Sequence, residues 1–591
     1  MRMGSEVKAG KYNFNYGWHF ALADTFPLKK ALTATADEKG RLFFERDYLE
    51  EGWKEVSLPH TFNDEDLFVN RIEDAGSGQK RTFSCYRKWF RLGEAGESGR
   101  AEVPGEPKAF PEDQKAFLEE QKVFLENQKV FLEIEGIRQT CYLYINGKPA
   151  GYYEAGAFPV GFDITEFLTE DEEQLIAIAT DSTSSRNMDY ISAETPNHPE
   201  AVPGDFVAAM TSKGQLPDTR AGVAYQWNCN DFNPTVGGLS RNIYLHIKPK
   251  TYLTLPLYSN LKTKGVYVYA TDFDIENRTA KLHVEAEVRN ESAEEAKAYL
   301  EVTFMDAHGH VAAKFRGGEK RLEASGQLKA FRTVIPPNAY RRTDGGFEPV
   351  DETEAGEVET GSYRVEVLTA EAEASGLNFW DIENPYLYHV CVKLWVDGRP
   401  ADEQELDTGF RKVAYGGGSG LEINGAKVWL TGYAQRATNE WAALGCAPDW
   451  LKDEDARLIR ESNANHIRFM HVAGSPADIR SYDRFGVVCT QPAGDKEREV
   501  FGRQWKQRVE LMRDIIIYFR NSPSIVFWEA GNNSIGKEHM REMRLLKEKL
   551  DPHGGRYMGC RTINTQEVIS EAEYAGTMLN RHAATFIAGQ V

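Results

Sequence analysis

The chain has 591 residues, 41% hydrophobic and 12% aromatic, enough to bury large cores in roughly three to four domains. Its net charge of −20 is spread along the sequence rather than gathered in an acidic tail, and no basic cluster occurs, which excludes nucleic acid and anionic membrane surfaces as expected partners. The seven cysteines (Cys85, Cys141, Cys229, Cys391, Cys446, Cys489 and Cys560) lie far apart with no Cys-x-x-Cys pair, which argues against a zinc site or a disulfide framework and for buried thiols.

No apolar stretch near Met1 is long enough for a signal peptide or a membrane helix, so a soluble protein is expected, exported only if an upstream signal has been removed. The first part of the chain reads as all-β. Val130, Leu132 and Ile134 alternate with Phe131, Glu133 and Glu135, and Cys141, Leu143 and Ile145 alternate with Tyr142 and Tyr144. Asn146-Gly147 then supplies a hairpin turn, and the pattern is that of a sandwich over 1–249.

From about 93 to 128 the pattern breaks into Gly, Glu and Pro and then into three copies of a heptapeptide over 112–132, the last being Glu-Asn-Gln-Lys-Val-Phe-Leu. A coiled coil needs apolar residues at separated a and d positions, whereas here they are adjacent and the last copy runs into the strand at 130–134. The extra copies read as duplicates of a strand's leading edge with no function of their own.

Alternation resumes after Lys250 at Leu282, Val284, Ala286 and Val288, at Leu300, Val302 and Phe304, at Tyr363, Val365 and Val367, and at Val390, Val392, Leu394 and Val396. Strands separated by polar turns over 250–415 predict an immunoglobulin-like sandwich, with 341–361 as a loop. Beyond Gly416-Gly417-Gly418 strand and helix patterns alternate: strands at 427–433, 466–470, 487–490, 525–528 and 556–561, helices at 449–462, 476–485 and 503–520. A further helix carrying Met540, Met543, Leu546 and Leu550 follows the candidate N-cap Ser534.

This order predicts parallel strands wrapped by helices, as in a (β/α)₈ barrel or a doubly wound sheet. A complete barrel takes about 250 residues and roughly 175 remain here, so the barrel at 416–591 is expected to be incomplete. Polar residues at the carboxyl end of a buried parallel strand sit where ligands bind, which makes Glu529, Asn532 and Asn533, after the run Ile525-Val526-Phe527-Trp528, the first candidates for chemistry.

At these residues a resemblance becomes visible. The stretch 53–63, Tyr86-Arg87-Lys88, Glu135-Gly136, Asn146-Gly147-Lys148 and 237–242 resemble the sugar-binding domain of glycoside hydrolase family 2. Glu383-Asn384-Pro385-Tyr386-Leu387-Tyr388, Gly409-Phe410-Arg411, Ile423-Asn424-Gly425 and Asn463-Ala464-Asn465-His466-Ile467-Arg468 with His471 are similar to its middle domain and barrel entry. The resemblance implies a jelly-roll sandwich, an immunoglobulin-like sandwich and a TIM barrel, and an exo-acting retaining β-glycosidase, galactosidase-like above all. A carbohydrate is the expected partner; no cofactor is expected, metal use is undecided, and self-association is left open.

Retaining hydrolysis uses two carboxyl groups about 5–5.5 Å apart, one donating a proton and one attacking the anomeric carbon. The family's proton donor is the Glu of Gly-Asn-Glu, and Asn533 stands at that position; an amide has no proton to give. Glu529 is the nearest replacement, although a regular strand would set it about 13 Å deeper than position 533. Its alternative role is a buried carboxylate paired with an arginine such as Arg436 or Arg468. Glu440 and Asp495 are the other carboxylates expected at the barrel mouth.

Asn532 matches the Asn that contacts the hydroxyl beside the anomeric carbon in the family, and Arg468 and His471 match residues lining the same pocket. Trp528 and Trp441 are candidates to stack on a pyranose ring. No counterpart of the family's nucleophile is found, so the fragment is expected to be inactive alone. The competing expectation is a non-catalytic carbohydrate-binding or scaffolding protein with a decayed site.

Overall fold

The computed structural model describes residues 9–23, 37–62, 83–92, 124–137, 140–153, 158–171, 173–181, 237–324, 340–343, 346–349, 365–415, 420–435, 447–469, 472–494, 499, 502–532, 535–560 and 572–573. In its first part a four-stranded antiparallel sheet (Gly10–Asn13, Ile243–Pro249, Gln128–Ile134, Val160–Asp163) accompanies a six-stranded one that includes Trp18–Ala23, Phe83–Phe90, Gln174–Asp181 and Thr140–Ile145. Val130, Leu132 and Ile134 from the first sheet join Leu143 and Ile178 from the second in one apolar cluster. Asn146 and Gly147, at φ of 50° and 81°, turn the chain between Thr140–Ile145 and Lys148–Tyr153, as a two-residue hairpin loop requires.

Strand alternation predicts one wet face for Gln128–Ile134, yet Phe131, Glu133 and Glu135 are buried too. Phe131 packs with Tyr252, Leu255, Leu257 and Leu261, and Glu133 accepts bonds from His246 (2.6 Å) and Tyr518 (2.9 Å) beside Lys11 (3.0 Å). Burial opposes charge on Glu133, and the Lys11 ammonium together with the hydrogen bond from His246 outweighs it, holding its carboxyl well below the usual range. Of the heptapeptide copies, the third forms this strand, while Phe124 and Leu125 of the second pack half-buried against the core. That corrects the expectation that the second copy contributes nothing; the first lies outside the described residues.

In the middle of the chain Leu282, Val284, Ala286 and Val288 of Thr279–Asn290 meet Leu300, Val302, Phe304, Val390, Val392 and Leu394 in a second core. Two details differ from expectation. Val367 is 45% exposed and the inward residues of Glu366–Ser375 are Leu368 and Ala370, because their register opposite Ala286 and Val284 puts them on the core face. Part of the expected loop, Tyr340–Thr343 and Gly346–Pro349, pairs as an antiparallel hairpin.

The last part is a six-stranded parallel sheet in sequential order: β1 (Gly432–Gln435), β2 (His466–Phe469), β3 (Val488–Pro492), β4 (Ile525–Glu529), β5 (Tyr557–Cys560) and β6 (Ala572–Glu573). Between them run α1 (Asp449–Glu461), α2 (Pro476–Phe485), α3 (Gly502–Phe519) and α4 (Lys537–Leu550). Strands that each pair with the next in sequence build a barrel wall, whereas a doubly wound sheet reverses its order at a switch point. Helix α2 begins with a full capping box, Ser475 and Asp478 exchanging bonds with each other's backbone, and ends on Gly486 at φ 70°.

The strand expected at 427–433 is divided. Ala426–Val428 pairs with Leu421–Ile423 and, through it, Val413–Tyr415, and β1 starts only at Gly432. Leu421 and Ile423 pack on Val488, Val526 and Phe527, so this small antiparallel sheet covers the amino-terminal end of the parallel strands. The N-cap of α4 is Gly536, whose N–H donates to Glu499 Oε1 at 2.7 Å, rather than the expected Ser534.

The three parts share buried contacts. Asn521, just after α3, accepts from Val268 N–H and donates to the Val266 carbonyl, both at 2.9 Å. Tyr153 donates to Asp514 of α3 at 3.0 Å, and Lys248 meets Asp402 at 2.9 Å. Arg411 reaches under the parallel sheet to the carbonyls of Ile525 and Gly554. Burial, with Arg556 nearby, pulls the Arg411 pKa down to about 9. Asp483, beside them and bonded to Ser524 N–H at 2.9 Å, is pushed up to about 6 by burial.

Candidate active site

Side chains along β2 divide between two sides. Ile467 and Phe469 enter the large apolar core shared with the helices, which leaves His466 and Arg468 on the opposite, inner side. In β4, Trp528 likewise joins the helix-side core and Glu529 turns inward at the strand's last residue. Two charged groups therefore meet across β3, at the carboxyl end of the sheet.

Arg468 Nε donates to Glu529 Oε2 and its Nη2 to Glu529 Oε1, both at 2.7 Å. The same Nη2 donates to Asn532 Oδ1 at 2.7 Å. Arg468 is 7% exposed, and Glu529 and Asn532 are fully buried. Both carboxylate oxygens are taken up by one guanidinium, the fork-to-fork geometry that fixes orientation as well as charge. Asn532 accepts through its carbonyl oxygen, and the NH₂ is the donor end of its amide.

Nearby, His466 Nε2 lies 3.0 Å from Thr490 Oγ1. Burial and then the Arg468 charge hold the His466 pKa down at about 4, so this ring is neutral at physiological pH. Gln491 clamps the loop after β2 through both ends of its amide, accepting from Gly474 N–H at 3.0 Å and donating to Gly474 O at 3.1 Å.

The depth difference expected between Glu529 and position 533 falls on a residue outside the described ones. β4 ends at Glu529, the chain turns, and Asn532 returns to the same guanidinium. The expectation for Trp528 is corrected: it is fully buried on the helix side, its indole N–H on Asp551 Oδ2 at 3.2 Å, where no pyranose ring reaches it. Of the other expected site residues, Asn533, His471, Glu440, Asp495, Arg436 and Trp441 lie outside the described residues.

Sequence reasoning missed His466, Thr490 and Gln491; the period-two pattern of β2 and β3 carried the signal, since His466 and Thr490 share the inner side with Arg468. One group of potential metal ligands occurs among the described residues, Cys391, Glu403 and Glu405. It lies on a hairpin of the middle part, Tyr388–Val396 with Arg399–Thr408, away from the strand ends. No described helix is long and apolar enough to cross a membrane.

The class these features define is a multidomain protein in which antiparallel β-sheet layers precede a (β/α)-barrel sheet with a charged cluster at its strand ends. Residues 266–411 match the model of glycosyl hydrolases family 2, and residues 417–579 match that of its TIM barrel domain. The chain belongs to glycoside hydrolase family 2.

A β-glucuronidase of Formosa agariphila is 30% identical over 554 residues, 93% of this chain and 45% of that protein. A β-galactosidase of Thermoanaerobacter pseudethanolicus is 22% identical over 521 residues, 87% of this chain and 53% of that protein. Among solved structures, a β-glucuronidase from glycoside hydrolase family 2 superposes with a TM-score of 0.68 at 28% identity, covering 95% of this chain and 47% of that one. The Bacteroides uniformis β-glucuronidase does so at 0.61 and 17%, covering 94% of this chain and 52% of that one, a likeness of fold. The chain spans about half the length of the curated relatives it matches.

Proposed function

We propose that this chain forms the sugar-binding floor of a retaining, exo-acting β-glycosidase of the galactosidase and glucuronidase type, organised as domains at 1–249 (jelly-roll-like), 250–415 (immunoglobulin-like) and 416–591 (barrel). The observation that carries the reading is the buried Arg468–Glu529–Asn532 cluster at the carboxyl ends of β2 and β4, where barrel enzymes place substrate. In this reading Arg468 is a positioning residue that sets Asn532 to present its NH₂ to a sugar hydroxyl. Glu529, with both oxygens committed to Arg468, holds that arginine and is not the proton donor.

Retention needs a protonated acid and a nucleophile flanking the glycosidic bond. Asn533 stands where the family places the acid, and its amide cannot serve, so hydrolysis requires a carboxyl group other than Glu529. A second reading, a carbohydrate-binding protein without turnover, is favoured by Asn533 itself.

Calorimetric titration of residues 1–591 with phenyl β-thiogalactoside and phenyl β-thioglucuronide, which resist hydrolysis, tests the sugar site. Saturable binding of at least one, weakened about tenfold or more in Asn532→Ala, is expected for a lost buried hydrogen bond to a hydroxyl. Binding of neither ligand overturns the sugar site altogether.

A further inference from the structure

A cleft of about 640 Å³ opens between the middle part of the chain and the small antiparallel sheet under the barrel strands. It opens at the end of β2 opposite Arg468, about 10 Å along the strand. Asn465, one of its lining residues, immediately precedes β2, whereas Arg468 lies near the opposite end of that strand. We infer that this cleft is a second carbohydrate-binding site, taking a neutral oligosaccharide with one pyranose ring stacked on Trp429.

The floor is apolar and rigid. Leu377 and Phe379 belong to the middle core and Ile382 and Ile423 to the core beneath the barrel, so neither side can collapse into the opening without disturbing a packed interior. Trp429 lines the wall and is 72% exposed, whereas Trp18, Trp380 and Trp528 are wholly buried. Its ring has the Lys427 ammonium 4.8 Å from its centroid, a contact that orients the indole.

The rim is polar and held in place. Asp381 Oδ1 accepts the backbone N–H groups of Glu383 (2.8 Å) and Asn384 (2.7 Å). Asn378 Oδ1 accepts from Arg278 at 2.6 Å, and Asn384 Nδ2 donates to the Phe379 carbonyl at 3.4 Å. Each side chain is fixed through one end and keeps the other: Asp381 Oδ2, Asn378 Nδ2 and Asn384 Oδ1 have no hydrogen bond among the described residues.

An amphipathic ligand with C–H groups on its faces and hydroxyls around its edge fits such a lining, since aromatic rings take the faces and preorganised amides and carboxylates the edge. Lining charges balance, Arg278 and Lys427 against Asp381 and Glu383, which favours an uncharged sugar over a uronate. The opening suits on the order of two or three sugar rings.

Native gel electrophoresis of residues 1–591 in gels cast with soluble galactan, xyloglucan or polygalacturonate tests the inference. Retardation is expected in at least one of the two neutral gels, reduced about three- to tenfold in Trp429→Ala and also reduced in Asn384→Ala. Because the Trp429 side chain is largely solvent-exposed, its removal leaves the fold intact, which circular dichroism verifies. The inference is overturned by no retardation in either neutral gel, by retardation only in polygalacturonate, or by parent-like retardation of Trp429→Ala. Retardation lost in Asn532→Ala but kept in Trp429→Ala assigns the binding to the strand ends and also overturns it. Retardation through Trp429 in a protein that binds neither thioglycoside supports the cleft while the strand-end reading fails.

Discussion

Glu529→Gln probes the centre of the structure with the smallest change of shape. The side chain keeps its volume and one acceptor, but an amide NH₂ now faces a guanidinium that was bonded at 2.7 Å through both Nε and Nη2. One charge-assisted bond is lost, worth about 1.5–3 kcal/mol, and Arg468, only 7% exposed, keeps a charge with no counter-charge from Glu529. Breaking one side of a buried pair costs about 3–5 kcal/mol in total, whereas replacing both partners by apolar groups is close to neutral.

Urea unfolding followed by tryptophan fluorescence, to which Trp528 beside Glu529 is one of eleven contributors, measures the effect in Glu529→Gln, Arg468→Met and the double variant Arg468→Met/Glu529→Leu. Each single change is expected to cost about 3–5 kcal/mol, and the double change at least about 2 kcal/mol less than their sum. A loss below about 1 kcal/mol in Glu529→Gln, or strict additivity in the double variant, would refute the account of this pair as the structural centre of the site.

Three further outcomes are expected. Asn521→Ala strips two hydrogen bonds at 2.9 Å between the middle part and the barrel, at about 1–3 kcal/mol for each backbone group left unpaired; limited proteolysis should release the middle part sooner, and an unchanged digestion pattern speaks against this joint. The raised pKa of Asp483, about 6 in the fold against an ordinary value of 3.8, favours the folded state below pH 4, and this contribution is lost as pH rises through 6. Asp483→Asn should therefore remove up to about 3 kcal/mol of pH dependence between pH 4 and 7, and an identical stability profile in the variant contradicts the burial argument. Phe124→Ala, in the second heptapeptide copy, should lower stability by about 1–2 kcal/mol, since the ring is half-buried on the core; no change would return that copy to an idle duplicate.

The parallel sheet was legible because strands and helices alternate with clear periods and Gly or Pro between them; α2 matches its expected bounds, 476–485, without change. The pairing of Glu529 with Arg468 was legible as one alternative, because an inward carboxylate at a strand end needs a cation. The end of β4 at Glu529 lies one residue past its expected bound; what period counting could not supply was the return of Asn532 to the same arginine. Nor could it show that Gln128–Ile134 is covered on both sides, since the second cover comes from Tyr252 and Tyr518, more than a hundred residues away. The division of 427–433 between two sheets was hidden because Trp429, Leu430 and Thr431 look as strand-like as their neighbours.

The central claim, that Glu529 positions Arg468 rather than donating a proton and that Asn533 cannot donate one, is tested most directly by hydrolysis. Residues 1–591 are incubated with chromogenic aryl β-galactosides and aryl β-glucuronides, alongside Glu529→Gln and Glu440→Gln. No release of the phenol above the uncatalysed rate is predicted for any of the three. Turnover by the parent chain that vanishes in Glu529→Gln and persists in Glu440→Gln would contradict the claim and make Glu529 the acid.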